Sequence, residues 1–391
     1  MEKIFRMARP EDALSLKRLF QDSPARVKGD PLFLNLPRLK EEITRAERWW
    51  TVAERDGEIR ALVSLTLDSQ NKVARIHRMI GGHGAAVLGG RPCSDPGEGG
   101  VQEPLAGALA FIMKRVESQG AAEVVYSTTR NLTLEQQEIT LKNGFKVLGV
   151  FPNAVYADPG RLNGLSAWFA PGVLDSRRRA DFKLHPVIAP FYEIARKQCG
   201  LSKLALCEAP EPPGGGEGVP ELEMISAPRF VAERFRQLKA RKNLSVNFYP
   251  FAKPNILLTS ADGKAEVFVH MVPRTRFAGI LAEHLTTAVD PVRLYAEVCR
   301  MLYENRVIYV EAINDAADSQ GIECILRAGF TPSGYLPCLR QASDGRRDYV
   351  VFARSYEYFT YPKLKVNSLY LDYLREYCKA RAALSSRDLG A

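Results

Sequence analysis

Proton transfer near neutral pH needs a group that titrates there, and one of the chain's five histidines, His77, sits inside the strand-like run VARIHRMI at 73–80. An imidazole so placed points into a core or into a cleft, and its unperturbed proton affinity suits base work. Tyr126, in the β-rich run EVVYSTT at 123–129, offers either a hydroxyl that acts as an acid or one more packed ring. Cys93 lies in a glycine-rich stretch without a spaced histidine partner, so a nucleophilic role is disfavoured. Glu311 follows the run VIYV, and Asp315 and Asp318 follow in EAINDAAD. Acids at such a strand end either bind an amine or solvate and cap a helix start. The aromatic run NFYPFAKPN at 247–255, twice broken by proline, suits a rigid wall in a substrate cleft or a packing surface between domains.

The elements that must position these residues repeat along the chain. Residues 144–152 read GFKVLGVFP and residues 329–337 read GFTPSGYLP, both fitting G-F-x-x-x-G-x-x-P. Each follows a helix-like segment (132–143; 319–328) and, before it, a β-rich run (123–129; 306–313). Earlier in each half an Asp-Gly turn, Asp56-Gly57 or Asp262-Gly263, precedes a strand, and each half opens with a strand, a proline and an amphipathic helix. Four landmarks in one order predict a duplicated domain. The first half is longer by 21 residues between its Asp-Gly turn and its Gly-Phe corner. The surplus falls on the glycine-rich segment 81–102, between a strand ending near Ile80 and a helix over 104–119. That helix places Leu105, Leu109, Ile112 and Val116 on one face and stops at Gly120. Asp344-Gly345 marks a hairpin in the second half, and ADPGRLNG at 157–164 a turn in the first. The fold class expected is α/β (α+β), with two mixed sheets flanked by helices.

At 391 residues the chain is too long for one ordinary domain, and 46% hydrophobic with 25% charged residues is a globular composition. The low-complexity segment EAPEPPGGGEGVP at 208–220 reads as a linker between a first domain over 1–207 and a second over 221–391 that ends in a helix. Fifty-four Lys and Arg against 45 Asp and Glu leave +9, with no basic block longer than Arg177–Arg179. That charge suits a nucleotide-like polyanion and permits RNA without demanding it. Seven cysteines without a CxxC pair indicate neither a disulfide framework nor a zinc ribbon, so no metal is expected. No apolar run is long enough to span a membrane, and the charged N-terminus is unlike a signal peptide, so the expected setting is cytoplasmic.

This order, with K-N-G-F at 142–145 and R-A-G-F at 327–330, resembles the GNAT superfamily of N-acetyltransferases, taken twice in tandem over nearly the whole chain. The resemblance implies two strands that splay apart, an acyl-CoA whose pantetheine arm lies between them, and a pyrophosphate held by backbone N–H groups at the next helix start. In this sequence that place is Gly99, Gly100, Val101, Gln102 and Glu103, leading into Pro104. The family's usual Q/R-x-x-G-x-G/A signature is missing there, and Asp95, Glu98 and Glu103 flank the loop, which otherwise reads as a surface segment. The tyrosine that the family often uses as an acid corresponds to Thr140 and Ile325. Acyl transfer to an amine needs a base, an oxyanion donor and an acid. The candidates are therefore His77, Tyr126 and Thr140 in the first half and Glu311 in the second.

The function implied is transfer of an acyl group from acetyl-CoA or another acyl-CoA to the amine of a small molecule or peptide, with the second half a degenerate copy that completes the cleft. Two alternatives stay open. One resembles the Fem-type transferases, which take their acyl group from aminoacyl-tRNA. The other is a noncatalytic sensor or scaffold on the same fold.

Overall fold

Strand, helix and turn signals alternate along the chain, and the computed structural model follows them over residues 3–22, 31–81, 102–129, 134–152, 162–211, 221–286, 289–357 and 367–387. Close contacts gather the chain into two compact units. The first comprises residues 1–128, 133–146 and 166–171; the second comprises 129–132, 147–165 and 172–391.

The first unit opens with β1 (Lys3–Met7), α1 (Ala13–Asp22), α2 (Pro31–Leu34) and α3 (Leu36–Thr44). There follow β2 (Arg48–Arg55), β3 (Glu58–Asp68), β4 (Val73–Gly81), α4 (Gln102–Ser118), β5 (Val124–Thr129) and α5 (Leu134–Lys142). Strands β1 to β4 are joined antiparallel in sequence order, and β5 is parallel to β4. Asp56 and Gly57 turn the β2–β3 hairpin with positive φ at both, as a two-residue hairpin of right-handed twist requires. Alternation along the strands serves two cores. Ala61, Val63 and Leu65 of β3 pack under α4 with Leu105, Leu109, Ile112 and Val116. Leu62 points the other way, to Leu16, Phe33, Leu39 and Trp50 on the side of α1 to α3.

The second unit begins with β6 (Lys146–Pro152) and the start of β7 (Leu162–Phe169), then α6 (Ala189–Cys199), β8 (Leu222–Ile225), α7 (Pro228–Ala240) and β9 (Ser245–Val246). It continues with β10 (Ile256–Ser260), β11 (Ala265–Val272), β12 (Phe277–Leu285), α8 (Pro291–Glu304) and β13 (Tyr309–Asp315). It closes with α9 (Ser319–Arg327), β14 (Thr331–Ala342), β15 (Gly345–Ser355) and α10 (Ser368–Arg387). Its sheet runs β6-β14-β15-β13-β12-β11-β10-β8, with β12 and β13 parallel. Mixed sheets flanked by helices are the fold class the sequence predicts.

The division differs from a break at 208–220. Strand β6 is drawn into the second unit because it pairs with β14 at Gly149–Gly334 and because Val147 N–H donates to the Gln198 side chain of α6 at 2.9 Å. Residues up to 211 also pack there: Cys207 N–H donates to the Leu184 carbonyl at 3.0 Å, and Gln320 donates to the Glu211 carbonyl at 2.8 Å. Residues 212–220 of the expected linker lie outside the described residues.

Candidate functional site

In the first unit the parallel pairing of β4 with β5 ends at Ile76–Ser127, while β4 runs on to Gly81 against β3. The next residue, His77, has no opposite number: Ile76 faces Leu65 and Arg78 faces Ser64. His77 is thus the extra residue of a β-bulge, which bends a strand and frees its neighbour. The bulge also inverts the faces. Before it, Ala74 and Ile76 point to the core under α4; after it, Met79 does so while Ile80 packs on the opposite side. His77 is exposed at this opening, where an imidazole can exchange protons with solvent or a ligand.

Parallel register places Arg75 beside Tyr126, both half-buried and both on the face away from α4. Arg75 Nη2 donates to Thr128 Oγ1 at 3.1 Å. Arg78, on the same side, lies over the rings of Phe33 at 5.3 Å and Trp50 at 5.7 Å. The structure therefore brings His77 and Tyr126 to one strand pair. Nothing in the sequence marked Arg75, because RIHRMI reads as an unbroken strand and the bulge that sorts its side chains leaves no pattern.

Helix α4 starts at Gln102, with Glu103 exposed in its first turn and paired to Lys3 at 2.6 Å. That pair offsets the acid which would repel a phosphate at a helix N-terminus. Gly99, Gly100 and Val101, like Cys93, lie outside the described residues.

Thr140 is fully buried on α5, and its hydroxyl donates to the Gln137 carbonyl one turn back at 2.9 Å. Its own carbonyl accepts the N–H of Phe145 at 3.2 Å, closing the helix on Gly144 with φ +83°. Ile325 does the same for Phe330 at 3.2 Å, with Gly329 again at +83°. The shared Gly-Phe corner is thus a helix stop.

The second unit repeats the bulge and fills the opening. Pairing of β12 with β13 ends at Gly279–Glu311, which puts Glu311 at the mouth of the gap, and Leu281 is the unpaired residue of the bulge. Strand β9 lies along β12 there, opposite Ala282 and Glu283. Asn247 donates its backbone N–H to the Leu281 carbonyl at 2.9 Å and its side chain to the Ile280 carbonyl at 3.2 Å. The start of 247–255 therefore closes this gap, in place of the cleft wall read from composition. Burial first, then the neighbouring Glu283, pushes the hydroxyl of Tyr295 on α8 well above the usual range, and Asn247 opposes the rise. Asp290 caps α8, accepting from Val292 N–H at 2.9 Å and Arg293 N–H at 3.3 Å. A carboxylate already occupies the place a phosphate would take.

The acids after Glu311 serve the fold. Asp318 caps α9 through Gly321 N–H at 2.9 Å, and Asp315 pairs with Arg347 at 3.3 Å. Among the described residues no group of His, Cys, Asp or Glu side chains could hold a metal ion, and no helix is long and apolar enough to cross a membrane.

No family model matches the chain, and no curated protein does. Solved structures to which it is similar include an acetyltransferase of the GNAT family from Streptococcus pneumoniae, at 15% identity and a TM-score of 0.33 over 43% of this chain and 99% of that one. A PaiA N-acetyltransferase from Thermoplasma acidophilum, in complex with coenzyme A, aligns at 15% identity and 0.31 over 43% and 99%. The aminoglycoside 6'-N-acetyltransferase from Enterococcus faecium aligns at 16% and 0.32 over 42% and 96%.

Proposed function

We propose that this chain is an N-acyltransferase that moves an acyl group from acyl-CoA to the amine of a small molecule or peptide, with the acyl-CoA arm lying between β4 and β5 of the first unit. One observation carries the reading: the same bulge and the same early end of pairing recur at β12, where an extended segment of the chain lies along the strand and hydrogen-bonds to it. A gap built to accept an extended chain with amide groups suits pantetheine, which has two amides in an extended arm. The second unit, filled by residues 245–247 and capped by Asp290, is then a closed copy, and one acyl-CoA is bound per chain.

Bound acyl-CoA supplies an acyl group activated as a thioester. His77, at the bulge, takes the proton that an acceptor ammonium must lose before its nitrogen can attack. As the new C–N bond forms and the thioester C–S bond breaks, Tyr126, half-buried on the next strand, gives its hydroxyl proton to the leaving CoA thiolate. The amides at the start of α4, with Gly99, Gly100, Val101 and Gln102, hold the pyrophosphate, and the Lys3–Glu103 pair keeps Glu103 from opposing it. The common order of elements and the repeated G-F-x-x-x-G support descent of both halves of the chain from one duplicated domain. A cytoplasmic setting suits the free cysteines.

A second reading, a sensor that binds the same ligand without chemistry, is favoured by the burial of Thr140 and its bond within α5. Incubation of the purified chain with acetyl-CoA and a panel of amines, followed by free thiol and by mass of the acceptor, separates the two. Acceptor mass increased by one acetyl group supports transfer; acetyl-CoA binding without turnover supports the sensor.

A further inference from the structure

The face of β4 and β5 turned away from α4 carries a guanidinium, that of Arg75, whose contact is with a neutral group among the described residues. Arg75 is half-buried, and it donates to a neutral hydroxyl, that of Thr128 at 3.1 Å. Its Nε is sealed from solvent without an acceptor. Glu42 of α3, an acid on this side, is already shared by Arg45 at 3.0 Å and Arg48 at 3.5 Å. Arg78 adds a second guanidinium to the face, stacked on Phe33 and Trp50. Half-burying a cation against a neutral partner costs free energy, and an arriving anion recovers it. The planar guanidinium fork fits a carboxylate, with two parallel hydrogen bonds available. Arg75 also stands two residues from His77, about 7 Å along a strand, so a group held at Arg75 presents a nearby amine toward the imidazole.

We infer that Arg75 is a binding residue for a carboxylate, and that the acceptor is an amino acid or another amine bearing a carboxylate. The inference rests on the acyltransferase reading for its amine but not for its anion site. Thr128 fixes Nη2 of the guanidinium and leaves the other terminal N–H groups for the ligand. Tyr126, on the same face, is placed to meet the amine end.

The test uses the full chain and two separate titrations. The first measures acetyl-CoA affinity. The second measures, by calorimetry, binding of common amino acids, each against the amine left when its carboxylate is removed, with phosphoethanolamine as a further anion. At least one amino acid is expected to bind about 10- to 100-fold more tightly than its decarboxylated partner, the range expected for charge-assisted hydrogen bonds. Arg75→Met should erase the difference, Arg75→Lys should keep part of it, and both should leave acetyl-CoA affinity unchanged. Thr128→Val, a milder change, should weaken amino-acid binding and not that of the decarboxylated amine. Equal binding of acid and amine, tighter binding of phosphoethanolamine, or an Arg75→Met chain that binds amino acids normally overturns the inference while the acyl-CoA reading stands. Failure of acetyl-CoA to bind, with the Arg75-dependent preference intact, overturns that reading and leaves the carboxylate site in place.

Discussion

Gly149 of β6 and Gly334 of β14 stand directly opposite one another in the antiparallel pairing of the two strands. Each is the second glycine of a G-F-x-x-x-G repeat, so the two copies of the motif meet at the same residue. A Cβ on Gly149 would lie 2.6 Å from the Gly334 Cα and 2.8 Å from the Ser333 carbonyl, and a Cβ on Gly334 would lie 2.9 Å from the Leu148 carbonyl. Backbone cannot give way as a side chain can. Gly149→Ala and Gly334→Ala should each lower unfolding free energy by about 1–3 kcal/mol, the usual range for overpacking, measured by urea denaturation. An alanine tolerated at either position without loss would refute the close approach.

His77 and Thr140 separate the reactive from the structural. His77→Gln should lower kcat for acetyl transfer by about 10²- to 10⁴-fold, as loss of a general base does, with acetyl-CoA affinity unchanged. Thr140→Val keeps the shape and removes a hydroxyl that serves its own helix, so stability should fall by about 1 kcal/mol and kcat should not move. Steady-state kinetics beside thermal melts decides both. A kcat lost with Thr140→Val would restore it as a catalytic group.

Glu283 gives the second unit a pH signature. Burial pushes its carboxyl up, the Tyr295 hydrogen bond opposes this, and Asp318 adds to the rise. Its Oε2 is sealed without a partner. The folded chain therefore holds this proton more tightly than the unfolded chain, where the ordinary value is 4.5. Its contribution to stability is complete below that value and is lost as pH rises through the folded one. Glu283→Gln should raise the melting temperature more at pH 7.5 than at pH 4. Equal shifts at both would show that Glu283 is not held protonated.

Arg178 and Asp348 form an ion pair that is 3% and 0% exposed, with Nη2 to Oδ2 at 2.6 Å. Asp348 also accepts from the Tyr335 hydroxyl at 2.6 Å and from Cys338 N–H at 2.9 Å. Asp348→Ala strands the guanidinium and should cost about 3–5 kcal/mol, as breaking a buried pair does. Adding Arg178→Met should return part of that loss, read as a coupling in a double-mutant cycle. Additive losses would mean the two do not act as a pair.

The elements were legible in the sequence where local chemistry fixes them. Helix α4 ends beside Gly120, the Gly-Phe corners end α5 and α9, and Asp56-Gly57 turns β2 into β3. The apolar positions Leu105, Leu109, Ile112 and Val116 are all buried. Of the site, His77 and Tyr126 were found because their residue types stand out, and they do share a strand pair. Arg75 was not found, since the bulge that sorts its side chain and the neutral hydroxyl it meets at Thr128 are facts of three dimensions. Nor was the filling of the second gap: β9 is two residues long, too short for any periodicity, and its pairing depends on a bulge at Leu281 that leaves no trace in composition. Strand β6 was assigned to the first half for the same reason, since its partner β14 lies far along the chain.

The central claim is that one gap is open to acyl-CoA and its counterpart is filled. Isothermal titration of acetyl-CoA into the intact chain tests it most directly. The account predicts saturable binding with one acetyl-CoA per chain, unchanged in an Asn247→Ala chain. Two sites per chain, or no binding at all, would contradict it.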